Sequence, residues 1–155
     1  MKILLAVDGS DCSDAAAQEL AKRPWPPKSE VKVITALEIP IPVGMGPWGI
    51  SPDYFENVDT VLRPAAQAVL DSTLLKLKPI TDETLKITSE IIQGSPAQVI
   101  VDEAKSWGAD LIILGSRGLG IWNRLLLGSV SNAVVQHAKC SVEVVRTPQE
   151  KQPDK

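Results

Sequence analysis

Two short, wholly apolar runs constrain this chain most: residues 3–7 and 111–114, each ending in a turn of small residues. Ile3, Leu4, Leu5, Ala6 and Val7 lead into Asp8-Gly9-Ser10, and Leu111, Ile112, Ile113 and Leu114 lead into Gly115-Ser116-Arg117-Gly118. Successive side chains of a strand point to opposite faces, so a strand with no polar position must be covered on both. Parallel strands with helices above and below them meet that condition.

The intervening sequence supplies the helices. Ser10 and Asp11 open one that runs to Lys22, and Pro24, Pro26 and Pro27 prevent its continuation. Residues 31–37 read as a second strand. A loop over 38–59 follows, holding Pro40, Pro42, Pro47, Pro52 and three glycines. In the next helix Val61, Leu62, Ala65, Ala66, Val69, Leu70, Leu74 and Leu77 recur at helical spacing on one face, and Pro64 is expected in its first turn or at a bend. Residues 85–92 alternate Leu85, Ile87, Ser89, Ile91 against Lys86, Thr88, Glu90, which suits an edge strand. Ser95-Pro96-Ala97-Gln98 forms a capping box for a third helix that turns Ala97, Ile100, Val101, Ala104 and Trp107 inward and stops at Gly108. A last helix over 131–138, a fifth strand over 141–146 and a polar tail over 148–155 complete the chain.

Alternating strand and helix imply an open five-stranded parallel sheet with helices on both faces, a Rossmann-like α/β fold. The two wholly apolar strands belong at the centre and the alternating third strand at an edge, which gives the order 3-2-1-4-5. At 155 residues the chain has the length of one domain, read here as 1–147. Sixteen Lys plus Arg against nineteen Asp plus Glu, and a pI near 5.2, argue against a nucleic-acid partner. Four tryptophans, one tyrosine and one phenylalanine are too few and too scattered for a base-stacking platform. Cys12 and Cys140 match neither a disulfide framework nor a zinc spacing. Asp8 cuts short the apolar start before it resembles a leader, and no stretch is long enough for a membrane helix. The expected setting is therefore the cytoplasm, with no membrane association.

Ligands of open α/β sheets bind beyond the carboxyl ends of the strands, where the strand order reverses. Here that point lies between the first and fourth strands, at Asp8-Gly9-Ser10 and Gly115-Ser116-Arg117-Gly118. Two glycine clusters compete as phosphate sites. Gly44, Gly46 and Gly49 fit the dinucleotide spacing, but Pro47 interrupts them and no helix opens after them, so they read as loop chemistry. Gly115 and Gly118, then nine residues, then Gly128-Ser129-Val130-Ser131 do follow a strand and precede a helix. Small residues let backbone N–H groups approach a phosphate, a helix N-terminus favours negative charge, and Arg117 or Arg124 could offset it. The alternative is that Gly115 and Gly118 shape a turn and Ser129 caps the helix.

The spaced Gly115, Gly118, Gly128, Ser129 pattern, with Val7-Asp8-Gly9-Ser10 at the first strand end, resembles the ATP-binding branch of the universal stress protein family over about residues 2–146. The resemblance implies a small α/β protein that binds ATP, with or without Mg²⁺, and forms a homodimer through its fifth strand. It implies that Asp8 faces the ribose or a metal-bound phosphate region, and that Ala6 and the Ala36 backbone meet adenine. It places Gly115, Arg117, Gly118, Gly128, Ser129, Val130 and Ser131 on ribose and phosphates. Nothing carries over to residues 38–59.

Other candidates have simpler roles. Asp8 could cap the first helix, His137 complements a helix C-terminus, and Cys12 is a small buried thiol. Asp102 and Glu103 read as a solvated face, since neighbours on a helix point apart. No residue is assigned as catalytic and none as a metal ligand. Without a base beside Asp8 to position water, the expected function is a nucleotide-dependent regulatory module in a stress response. A slow ATPase or phosphotransferase, and a nucleotide-independent dimeric interaction protein, are the alternatives. AMP or a cyclic nucleotide could stand in place of ATP.

Overall fold

The computed structural model describes residues 1–40, 52–78, 85–118 and 127–147. Its elements run β1 (Lys2–Ala6), α1 (Asp11–Lys22), β2 (Ser29–Leu37), α2 (Pro52–Leu77), β3 (Leu85–Gln93), α3 (Pro96–Trp107), β4 (Leu111–Gly115), α4 (Ser129–His137) and β5 (Ser141–Val145). The five strands are parallel in the order β3-β2-β1-β4-β5, with β1 hydrogen-bonded between β2 and β4. Strand alternation divides the core in two. Ile3, Leu5, Val7, Val31, Val33 and Ile113 pack against Ala16, Ala17 and Leu20 of α1 and Leu70 and Leu77 of α2. On the other face Leu4, Ala6, Ile34, Ile112 and Leu114 pack against Val99, Ile100 and Ala104 of α3 and Val134 of α4. The apolar runs are thus buried on both faces, as their sequence requires, and β3, at the edge, carries the wetter pattern.

Several local readings are corrected. α2 begins at Pro52, inside the segment read as loop, so Pro64 sits in the helix interior rather than in its first turn. An interior proline contributes no N–H to the helical ladder, so in sequence it suits a first turn or a bend; the burial of Leu70 and Leu77 anchors this helix instead. Val61 is 73% exposed and Ala65 is exposed, so the inward face narrows to Val69, Leu70, Leu74 and Leu77, with the Thr73 hydroxyl satisfied by the Val69 carbonyl. α3 starts at Pro96 as expected, but Ser95 forms no side-chain cap; the Gln98 amide reaches forward to Asp102 instead of back. Val99 joins Ile100 and Ala104 in the core, while Ala97, Val101 and Trp107 are half-buried. α4 starts at Ser129, two residues before the expected Ser131, because Gly128 already serves as its N-cap. The tail and the Gly44, Gly46, Gly49 cluster lie outside the described residues.

Glu103 is not on a solvated face. Lys32 shares the β2 face of Ile34 and Ala36, which α3 covers, and its ammonium meets Glu103 at 2.5 Å and Glu90 of β3 at 2.6 Å. Burial alone would push the Lys32 pKa down, but the hydrogen bonds and charges of the two carboxylates outweigh it and raise it above the ordinary lysine value.

Two predictions follow from this packing. Ile112→Ala, at a site with no exposed surface, should cost about 2–5 kcal/mol in urea denaturation. Because folding raises the Lys32 pKa, its contribution is complete below the unfolded value of about 10.4 and disappears as pH rises through the folded value. The stability gap between wild type and Lys32→Met should therefore be on the order of 2 kcal/mol near neutral pH. It should shrink by about pH 11; a gap that stays constant over that range would refute the pairing.

Candidate functional site

The site arises where the chain leaves β1 and β4 in opposite directions, towards α1 on one face of the sheet and α4 on the other. The departing turns leave a crevice between them. On the β1 side Gly9 takes φ of +80°, which L side chains rarely adopt, and a Cβ there would stand 3.0 Å from Val69. This turn folds Asp8 back so that its Oδ1 accepts from the Ser10 N–H at 3.0 Å and the Ser10 hydroxyl at 2.6 Å. Ser10, not Asp8, caps α1, its Oγ accepting from the Ser13 N–H. The capping role considered for Asp8 is therefore taken by its neighbour, and Asp8 stays exposed.

On the β4 side the hub is Ser116, 2% exposed. Its N–H donates to the Val145 carbonyl at 2.7 Å, and its carbonyl accepts from the Gly128 N–H at 2.8 Å and the Ser131 hydroxyl at 2.9 Å. The start of α4 is thereby fixed to the end of β4. Among the described residues no side chain caps α4, so its first-turn amides and positive dipole end stand available to an anion.

Between the two turns lies a cavity of about 460 Å³, within the size range of small-molecule sites. All ten residues singled out from the sequence line it: Ala6 and Ala36 near the sheet, Asp8 on the β1 turn, Gly115, Arg117 and Gly118 after β4, and Gly128, Ser129, Val130 and Ser131 at the start of α4. Sequence reasoning missed the apolar wall formed by Ile34, Ile100 and Leu114. The signal for it was present, since Ile34 lies two residues from Ala36 on the same strand face and Ile100 was already an inward position of α3. Arg124, weighed as a second phosphate partner, lies outside the described residues. Among the described residues no group of three or more His, Cys, Asp or Glu could hold a metal ion.

The glycines do different work. A Cβ on Gly118 would overlap Asp8 Oδ2, so Gly118 keeps the two turns close; one on Gly128 would stand 3.3 Å from the Ser116 carbonyl oxygen, so Gly128 keeps the start of α4 close to the end of β4. The missing Cβ of Gly115 faces α1, where it would lie 2.6 Å from the Cys12 carbonyl carbon and 2.7 Å from the Ser13 nitrogen. Gly115 therefore lets β4 end against the helix backbone. Cys12 is buried there, as expected. Burial pushes its thiol pKa up, yet hydrogen bonds from Ser116, Thr147 and the Arg117 backbone outweigh it and bring the pKa below the ordinary thiol value. His137 ends α4 with its Nδ1 2.9 Å from the Ala133 carbonyl oxygen, the helix-terminal place read from the sequence.

Fold and cavity together define a doubly wound α/β protein built around a crevice at its topological switch point. The chain belongs to the universal stress protein family, whose pattern matches residues 1–146. It is 34% identical over 148 residues to universal stress protein MJ0531 of Methanocaldococcus jannaschii, a match that spans 95% of this chain and 82% of that protein. Three solved structures share the fold. Hypothetical protein MJ0577 superimposes with a TM-score of 0.75 at 23% identity, over 96% of this chain and 97% of the other. An Arabidopsis thaliana family member with AMP bound gives 0.66 at 19% identity, over 99% and 95%. A universal stress protein in complex with cAMP gives 0.63 at 23% identity, over 94% and 96%. Among the described residues no helix is long and apolar enough to cross a membrane.

The glycine geometry separates two kinds of defect. Gly115→Ala must displace backbone, and we expect a loss of roughly 1–3 kcal/mol in thermal or urea unfolding. Gly118→Ala meets only the end of the Asp8 side chain and should unfold within about 0.5 kcal/mol of wild type. Equal destabilisation of the two variants would contradict this assignment.

Proposed function

We propose that the chain is an adenine-nucleotide-binding universal stress protein, of the branch that takes ATP, and that it acts as a nucleotide-dependent regulatory module. The observation that carries this reading is the division of one cavity into an apolar half and a small, hydrogen-bonding half at a helix N-terminus. A purine requires a flat apolar slot, and Ala6, Ile34, Ala36 and Ile100 offer small or aliphatic surface for one. Asp8 provides acceptor oxygens for sugar hydroxyls. Gly118, Ser129 and Val130 bring backbone N–H groups, Gly128 the space for close approach, and Arg117 a positive charge, to the region a phosphate chain would enter. Two structural neighbours carry AMP and cAMP, which supports the same ligand class here.

The donor set also limits the chemistry. Asp8 is the one carboxylate lining the cavity, and no histidine lines it, among the described residues. Mg²⁺ accompanying ATP would thus be held by phosphate oxygens and water, with Asp8 as a single protein contact at most. Retention of nucleotide rather than rapid hydrolysis suits such a site, because among the described residues no histidine or second carboxylate lines the cavity beside Asp8 to activate water. Strand β5, paired only with β4 among the described strands, offers the edge through which we propose that two copies associate. We place this module in the cytoplasm as a single unit over residues 1–147.

Calorimetric titration with ATP, AMP and cAMP, with and without Mg²⁺, tests the reading. Gly118→Val and Gly128→Val should each weaken nucleotide binding by at least about tenfold, a change of roughly 1.4 kcal/mol, while far-UV circular dichroism stays that of the wild type. Wild-type binding to none of the three would favour a nucleotide-independent interaction protein. Sustained ADP release that Asp8→Asn abolishes would favour the enzyme.

A further inference from the structure

Ser10 lies behind the cavity lining and joins two residues that do line it, Asp8 on the β1 turn and Arg117 after β4. It is 8% exposed, so little water competes for its hydroxyl. That group carries one proton and faces two acceptors: Asp8 Oδ1 at 2.6 Å and the Arg117 carbonyl oxygen at 3.1 Å. Its lone pairs meanwhile accept the Ser13 N–H at 3.3 Å. The two acceptors are not equally placed. Asp8 Oδ1 has a second donor in the Ser10 N–H at 3.0 Å. Among the described residues the Arg117 carbonyl has no donor other than Ser10 Oγ. Asp8 Oδ2 lies against the Cα of Gly118, the residue after Arg117, so the carboxylate itself touches the second turn.

We propose that Ser10 is a positioning residue that couples the sugar side of the cavity to its phosphate side through this shared proton; the affinity part of the proposal rests on the nucleotide reading above. With no donor on Asp8 from the cavity, the proton is shared: the shorter bond gives the carboxylate the larger part, and the longer one holds the Arg117–Gly118 turn weakly. A hydroxyl donor that bonds the Asp8 carboxylate from the cavity draws on its negative charge and weakens its hold on the Ser10 proton. The Ser10 proton then turns to the Arg117 carbonyl and draws the Arg117–Gly118 turn against the start of α1. Occupancy at the sugar position thereby orders the backbone that meets phosphate. No bond is made or broken beyond the exchange of one hydrogen-bond acceptor for another.

The test compares Ser10→Gly, which removes the hydroxyl but leaves a tolerated N-cap residue, with Ser10→Thr, which restores donor and acceptor. The probes are adenosine and ATP, and the direct readout is the backbone carbonyl ¹³C resonance of Arg117, which moves downfield when its oxygen accepts a hydrogen bond. In the free protein this resonance should lie upfield in Ser10→Gly relative to wild type and Ser10→Thr. Adenosine should move it further downfield in the latter two and leave it unmoved in Ser10→Gly. ATP affinity should fall about tenfold in Ser10→Gly, the scale of one or two lost hydrogen bonds, while adenosine affinity changes less than about twofold. An Arg117 resonance indifferent to Ser10→Gly overturns the proposal. So does an equal loss of ATP and adenosine affinity, which marks a helix cap and nothing more. If the wild type binds neither probe, the nucleotide reading falls, and the Arg117 resonance of the free protein decides the tether alone.

Discussion

Everything in this molecule is arranged around the side-by-side pairing of β1 and β4. Each strand is apolar at nearly every position, so each must be covered on both faces, and the helices that do so emerge from the two strands in opposite directions. The crevice between their outgoing turns is a direct result of that divergence. Residues 6 and 114 lie opposite each other in the ladder, so Ala6 and Leu114 end the strands at the cavity wall. The same pairing that buries the core thus sets the location and the apolar floor of the site.

Buried hydroxyls hold the crevice open. Ser10, Ser116 and Ser131 are each 8% exposed or less, and each hydroxyl ties neighbouring segments together: Ser10 to Asp8 and Arg117, Ser131 to Ser116 and Gly128, Ser116 to the Cys12 sulfur. Among the described residues no buried side-chain polar atom lacks a partner. A site held by satisfied neutral groups has little electrostatic strain stored in it. Its charged members, Asp8 and Arg117, line the cavity, and Asp8 keeps acceptor capacity beyond the two bonds that its Oδ1 accepts from Ser10.

Much of this was legible in the chain itself, for physical reasons that can be named. The two apolar runs gave the central strands, because no polar residue can be hidden in a strand buried on both faces, and the wet alternation of residues 85–92 placed β3 at an edge. The ten candidate site residues converge on one cavity because strand ends and helix starts in such a fold are neighbours in space. What was not legible depended on tertiary packing. Pro64 suits the first turn or a bend of a helix, yet it sits well past the first turn of α2, whose burial of Leu70 and Leu77 outweighs local propensity. Ser95 has the right spacing for a capping box, but Gln98 found Asp102 instead. Glu103 looked solvated because Lys32, its partner, lies far away in sequence and is brought to it by the sheet.

The contrast between the glycines carries the last step. Gly115, Gly118 and Gly128 look alike in a spaced motif, and all three line the cavity. Their absent side chains point in different directions: towards the α1 backbone, towards Asp8, and towards the Ser116 carbonyl. The first is a requirement of the fold, since no rearrangement of a side chain could make room for a Cβ against backbone. The second brings the only charged group of the β1 turn into contact with the β4 turn, and the third brings the start of α4 against the same loop. A spaced glycine motif of this kind is therefore a record of close approach between three separate segments. A ligand that spans them meets surfaces already in contact with one another, and the Ser10 hydroxyl sits at the junction where a change at one is felt at the next.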